Sequence, residues 1–147
     1  GGVNVTGTAE CIEPPGRTIQ DDGAVELHVF RNECTFTSSD PRLSGTGVYD
    51  IQQFCLKEET GHVCMGRGTG EVAGPDGTWV GTSGWVQDPS RTQIPMWGVA
   101  EGPGAYEGWT YWFHVPDVMA PSSPEYGILY QGPPPPWGAT LPLIPAE

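Results

Sequence analysis

The chain has 147 residues and carries eighteen acidic against six basic side chains, with Lys57 as its one lysine, for a formal net charge of -12. That balance offers no basic surface to nucleic acid or to an anionic membrane, and no apolar stretch approaches the ~20 residues of a helical membrane span. With 22 glycines and 16 prolines, helices of normal length have almost nowhere to form, so we read one all-β domain large enough for a single core.

Eight strands are expected, separated by turn signals. The first, 3–11, carries the glycosylation sequon Asn4-Val5-Thr6, a candidate site at Asn4. Pro14-Pro15 then demands a bulge or break. Asp22-Gly23 is a preferred two-residue hairpin loop leading into 24–36, where Val25, Glu26, Leu27, His28 and Val29 alternate. A hairpin closed there sets Cys11 opposite Cys34. Asp40-Pro41 breaks the chain again, and strands 43–56 and 62–72 form a second hairpin centred on Glu59 and Thr60, which sets Cys55 opposite Cys64. Of the three pairings that four cysteines allow, these two cross-strand disulfides follow from turn register. The intervals of 23, 21 and 9 residues resemble no zinc pattern, and no D-x-D-x-D-G calcium loop occurs, so neither metal nor cofactor is expected. Disulfides imply an oxidising compartment, and no signal peptide precedes Gly1. We therefore expect a secreted, extracellular protein numbered from a processed end.

Strands 78–86, 93–100, 105–115 and 126–131 complete the series, with Gly74-Pro75-Asp76-Gly77, Asp88-Pro89-Ser90 and Gly102-Pro103-Gly104 as punctuation. In 105–115 one face carries Glu107, Trp109, Tyr111 and Phe113 and the other Tyr106, Thr110, Trp112 and His114, so both faces are expected to be partly buried. Glycines inside the strands, as in Gly66-Arg67-Gly68-Thr69-Gly70 and Gly81-Thr82-Ser83-Gly84, permit the coiling of a barrel and leave room for aromatic side chains on neighbours.

The run Gly77-Thr78-Trp79-Val80-Gly81-Thr82, followed by Gly98 through Gly104-Ala105-Tyr106-Glu107-Gly108-Trp109-Thr110-Tyr111, resembles the glycine and aromatic rhythm of allene oxide cyclase-like and dirigent-like barrels, including small secreted bacterial relatives. The resemblance covers about residues 43–132. It implies an eight-stranded antiparallel barrel, in some members dimeric or trimeric, with an apolar cavity that steers a cyclisation. Trp109 stands where that rhythm has leucine, and no catalytic residue is carried over.

Catalytic motifs are otherwise lacking. No G-x-S-x-G elbow occurs, and His28, His62 and His114 are scattered and read as surface or packing residues. Glu71, Glu101 and Glu107 fall near one end of the strands, with Glu101 and Glu107 flanking a hairpin turn; an exposed acidic rim is the expected meaning. Arg67 and Glu71 share a strand face and are expected to form an ion pair. Trp79, Trp85, Trp97, Trp109, Tyr111 and Trp112 are candidate ligand or interface aromatics, able to hold a glycan or a small apolar molecule if exposed, with core packing as the alternative.

The domain is placed at 1–132 and a proline-rich tail at 133–147. Pro133 to Pro136 favour an extended conformation, and Trp137, Leu141, Leu143 and Ile144 call for burial on the same barrel or on a neighbouring copy. Three functions follow: a non-catalytic secreted building block that self-associates into an oligomer or filament, a barrel binding a glycan or small ligand, and a cyclase or isomerase with an apolar cavity. The first is preferred, and under it loss of 133–147 should abolish association and leave the barrel folded. An interior packed solid with aromatics would argue against the third.

Overall fold

The computed structural model describes residues 1–12, 16–59, 61–90, 92–120 and 122–135. Among the described residues nine strands form one antiparallel sheet: β1 (Val3–Ile12), β2 (Arg17–Asp21), β3 (Val25–Ser38), β4 (Gly45–Glu58), β5 (Gly61–Ala73), β6 (Thr78–Gln87), β7 (Met96–Glu101), β8 (Trp109–Val115) and β9 (Ser123–Gln131). They are ordered β1-β9-β8-β7-β6-β5-β4-β3-β2, and β1 also pairs with β3, so eight strands close into a ring. Closure removes sheet edges, the usual weak point of an all-β protein. The ninth strand, β2, was not foreseen in the sequence. It lies beside the first half of β3 while β1 lies beside the second half; Pro14 and Pro15, where a bulge or break is expected, lie outside the described residues.

Both expected disulfides are present, Cys11–Cys34 and Cys55–Cys64. For the second, the register runs unbroken from Glu58↔Gly61 to Cys55↔Cys64, as the expected hairpin requires. For the first, the partners are as expected but the route differs. The loop is Gly23-Ala24, since Asp22 N donates to Val25 O at 3.2 Å and Asp21 pairs with Glu26. Gly23 alone has a positive φ, 90°, the pattern of a type II′ turn with glycine first. The Asp22 carboxylate accepts from the amides of Ala24 and Val25, which draws the turn one residue along the chain. A bulge between Thr18 and Gln20, and one further offset between Arg17↔Val29 and Ile12↔Glu33, then restore Cys11↔Cys34.

Alternation decides the core. Val5, Ile51, Val72, Trp79, Trp85, Ala100, Tyr111, Phe113, Val115 and Leu129 are buried, and their partners across the rungs are repeatedly glycine. A Cβ on Gly66 would lie 1.9 Å from the Trp85 indole, and one on Gly98 would lie 1.9 Å from the Phe113 ring. These glycines are therefore notches that seat aromatic rings against the backbone, which is the reason a glycine-rich sheet is tolerated here.

The two ends of the ring differ. At one end, a short 3-10 turn (Pro41–Leu43) and a second (Gly104–Tyr106) form a lid. Trp79 stacks on Tyr106 with centroids 4.7 Å apart and donates from Nε1 to Arg42 O at 2.8 Å. Asp40 holds the Arg42 guanidinium over the Trp109 ring, and that pairing keeps the Asp40 carboxyl below its ordinary pKa. At the other end β3, β4 and β5, at 14, 14 and 13 residues, outrun β7 and β8, at 6 and 7, and project with β2 as a partly two-sided sheet. Lys57 ties β2 to this projection, reaching Asp21 at 2.6 Å and Glu26 at 3.4 Å.

Candidate functional site

The outward side of the projecting sheet is apolar. Cross-strand pairing sets Leu27, Phe54, Met65 and Val86 in one row over β3 to β6, and Val25, Leu56 and Val63 in the row beyond. Phe54, Leu56 and Met65 are 43, 50 and 44% exposed. Ordinary soluble domains scatter such residues singly; three large ones in adjoining rungs form a patch of the kind that marks an interaction surface. Toward the barrel body the face becomes polar at Gln52, Arg67, Arg31 and Asp50, which border an outer concavity of about 430 Å³. Arg31 and Asp50 pair there at 2.9 Å.

The barrel interior contains one buried carboxylate among the described residues, Glu125 on β9, 9% exposed. It accepts a hydrogen bond from Tyr111 Oη at 2.7 Å. Burial pushes the Glu125 pKa upward, against the lowering effect of the Tyr111 hydrogen bond. Burial first, and then the nearby Glu125 charge, push the phenols of Tyr111 and Tyr49 well above their ordinary range. The cluster can store a proton and can accept one polar partner, but Tyr49, Phe36, Tyr111, Phe113 and Leu129 fill the space around it.

The outer wall formed by β7, β8 and β9 is aromatic. Trp97 stacks on His114 with centroids 5.5 Å apart, and burial lowers the His114 pKa. Tyr126 continues the same rung on β9, across from His114, and Trp112 sits between Val99 and Ile128.

The candidate aromatics therefore separate. Trp79, Trp85 and Tyr111 face inward and are core, as the packing alternative held; Trp109 is half-buried under Arg42; Trp97 and Trp112 are half-buried on the outer wall. The expected ion pair between Arg67 and Glu71 is not found among the described residues. Both point outward on β5, but four positions of one strand span roughly 13 Å, too far for contact. Glu71 and Glu101 are separated by Val80 on β6, two strand spacings or roughly 10 Å. Glu107 is exposed in the turn before β8. These acids form no paired site. His62 is exposed, and His28 bonds Thr18 and Glu26 on the projecting sheet. Asn4 is exposed on β1. Pro133 is exposed after β9; Pro136, Trp137, Leu141, Leu143 and Ile144 lie outside the described residues.

Glu125 lies outside the expected strand 126–131, because β9 begins three residues earlier. Ser123-Pro124-Glu125 reads as loop, yet β9 begins at Ser123, with Pro124 facing Thr8 and Glu125 facing Gly7. Glu125 shares its parity on β9 with Leu129, which the structure buries in the interior. Among the described residues no helix is long and apolar enough to cross a membrane, and no three metal-ligating side chains converge. Comparison of the chain with family models, with curated proteins and with solved structures gave no match.

Proposed function

We propose that this protein is a secreted, non-catalytic building block that associates with copies of itself through the outer face of the projecting sheet. The observation that carries the reading is the unbroken apolar patch around Phe54, Leu56 and Met65. Removing such side chains from water contributes roughly 25 cal/mol per Å², and a second copy presenting the same patch supplies a matching surface. A net charge of -12 opposes close approach of two copies, so the contact should tighten with added salt. The two disulfides fit the oxidising surroundings of an exported protein. Sedimentation equilibrium tests the reading: the natural chain should gain mass with concentration and the Phe54→Ser/Met65→Ser variant should stay monomeric. A variant that associates as strongly as the natural chain would overturn it.

A second reading, a barrel that binds a small ligand or acts as a cyclase-type enzyme, is favoured by one observation. Glu125 and Tyr111 form a proton-holding pair inside an otherwise apolar barrel, and perturbed ionisable groups of that kind are common in functional sites. A small-molecule mass retained by the natural chain in native mass spectrometry, and lost in Glu125→Gln, would support it; no retained mass in either would count against it.

A further inference from the structure

We propose that two copies pair through their projecting sheets about a two-fold axis running across the strands, so that Phe54 packs on Leu56 of the second copy, Met65 on its Val63, and Arg67 meets its Glu58. The inference rests on the self-association reading and goes on to fix how the copies are turned and how many can join.

The order of side chains along the outer face is the first support. Taken at every second residue, the outward rungs of β4 and β5 pair Glu58 with Gly61, Leu56 with Val63, Phe54 with Met65 and Gln52 with Arg67. The face is therefore acidic at the tip, apolar in the middle and basic toward the barrel body. An axis across the strands, midway between the two apolar rungs, lays each of them on the other and lays the Arg67 rung on the Glu58 rung. In a two-fold contact every such match occurs twice.

The second support is the charge left over inside the chain. Arg31, Arg42 and Lys57 each pair with an acid of their own chain. Arg17 and Arg67 have no such partner among the described residues. Both stand on one outward row, in which Arg17 faces Val29, Val29 faces Gln52 and Gln52 faces Arg67. Glu58 and Glu59 are exposed at the tip of one hairpin and Asp22 at the tip of the other. The same axis brings Arg17 to the Asp22 turn of the second copy, because Val29 and Gly23 stand equally far from the midpoint between Val25 and Leu27. Both unpaired arginines thereby gain an acid.

An axis along the strands would superpose each row on itself. The arginine row would lie on the arginine row, and Glu33 and Glu71, which share an outward row through Val48, would face one another across the contact. Charge thus selects the crossing axis, in which the projections overlap and the two acidic barrel bodies point apart. Strands β3 to β6 at about 4.8 Å spacing and residues 52–58 at about 3.4 Å rise give a face of roughly 20 by 24 Å. That is a little over half of the ~800 Å² that each partner of a standard interface buries. The pair is accordingly weak, and it is closed, since each copy's patch is used up by the other.

Sedimentation equilibrium at one salt concentration tests the arrangement on four samples: the natural chain, Arg67→Glu, Glu58→Arg, and an equimolar mixture of the two variants. Both positions are exposed, so neither change disturbs the core. The natural chain should approach twice its monomer mass and go no further. Each variant alone brings like charges together twice and should associate about tenfold more weakly. In the mixture, the introduced acid of one variant meets the introduced base of the other, and association should return to the natural strength. The mixed pair carries the same total charge as two natural chains, so net repulsion does not account for the recovery. Variants that associate as strongly as the natural chain, a mixture no tighter than its components, or mass beyond two copies would overturn the arrangement and leave self-association standing. A natural chain that stays monomeric at every concentration would overturn both.

Discussion

The lidded end of the barrel and the projecting end are built from the same alternating strands, yet they meet water in opposite ways. At the lid, Trp79 is stacked, hydrogen-bonded and 2% exposed, and Arg42 is fastened by Asp40 over Trp109. At the projection, Phe54 and Met65 face each other across a rung with nothing of the described chain above them. The lid completes its own burial. The projection leaves apolar area uncovered, and a second copy is what we propose completes it.

The contrast can be broken at its strong side first. Trp79→Ala removes the stack, the bond to Arg42 and a filled volume, and should cost about 4 kcal/mol in urea unfolding. A cost under about 1 kcal/mol would mean the lid does not anchor the barrel. Next come the disulfides. Cys11–Cys34 closes 23 residues and Cys55–Cys64 closes 9 within the projecting hairpin. In the chain-entropy picture their loss costs about 3.4 and about 2.6 kcal/mol. Paired Cys→Ser variants, compared by thermal unfolding, should keep that order, and equal melting points with and without reductant would remove the disulfides from the account of stability.

A smaller effect comes from Glu125. Its folded pKa is raised, so the native state holds the proton more tightly than the unfolded chain does. Stability should then fall as pH rises from about 4.3, the ordinary glutamate value, through the folded value. Glu125→Gln should flatten that decline and gain about 1 kcal/mol at pH 7, since the amide oxygen still accepts from Tyr111 without a buried charge. A variant as pH-dependent as the parent would assign the decline to other groups. Asp40 has the opposite sign. Arg42 lowers its folded pKa, so its contribution is present above the unfolded aspartate value and is lost as pH drops through the folded one.

Much of this fold was legible in the residues because each local signal agreed with the closed sheet. Glu59-Thr60 placed Cys55 opposite Cys64 without correction, and the strand glycines signalled room for aromatic side chains on neighbours, which Trp85 takes at Gly66. The first hairpin shows where local reading stops. Asp22 and Gly23 both favour a turn, and only the competition of the Asp22 carboxylate for the Ala24 and Val25 amides decides its position. The candidate aromatics show a second limit. Parity in 105–115 separated Tyr111 from Trp112, but which side was inward depended on Gly98 and Gly127 across the neighbouring rungs. The apolar patch was unreadable, because Leu27, Phe54 and Met65 are far apart in sequence and each alone resembles a core residue. Only the greater length of β3, β4 and β5 carries them past the body of the barrel.

The methyl resonances of Met65 and Met96 in one dilution series test the central claim most directly. Met65 stands in the exposed patch and Met96 is packed against the core. The account predicts that the Met65 signal moves as concentration rises and particle mass grows, and that the Met96 signal holds still. Growth in mass with Met65 unmoved, or no growth at any concentration, would contradict it.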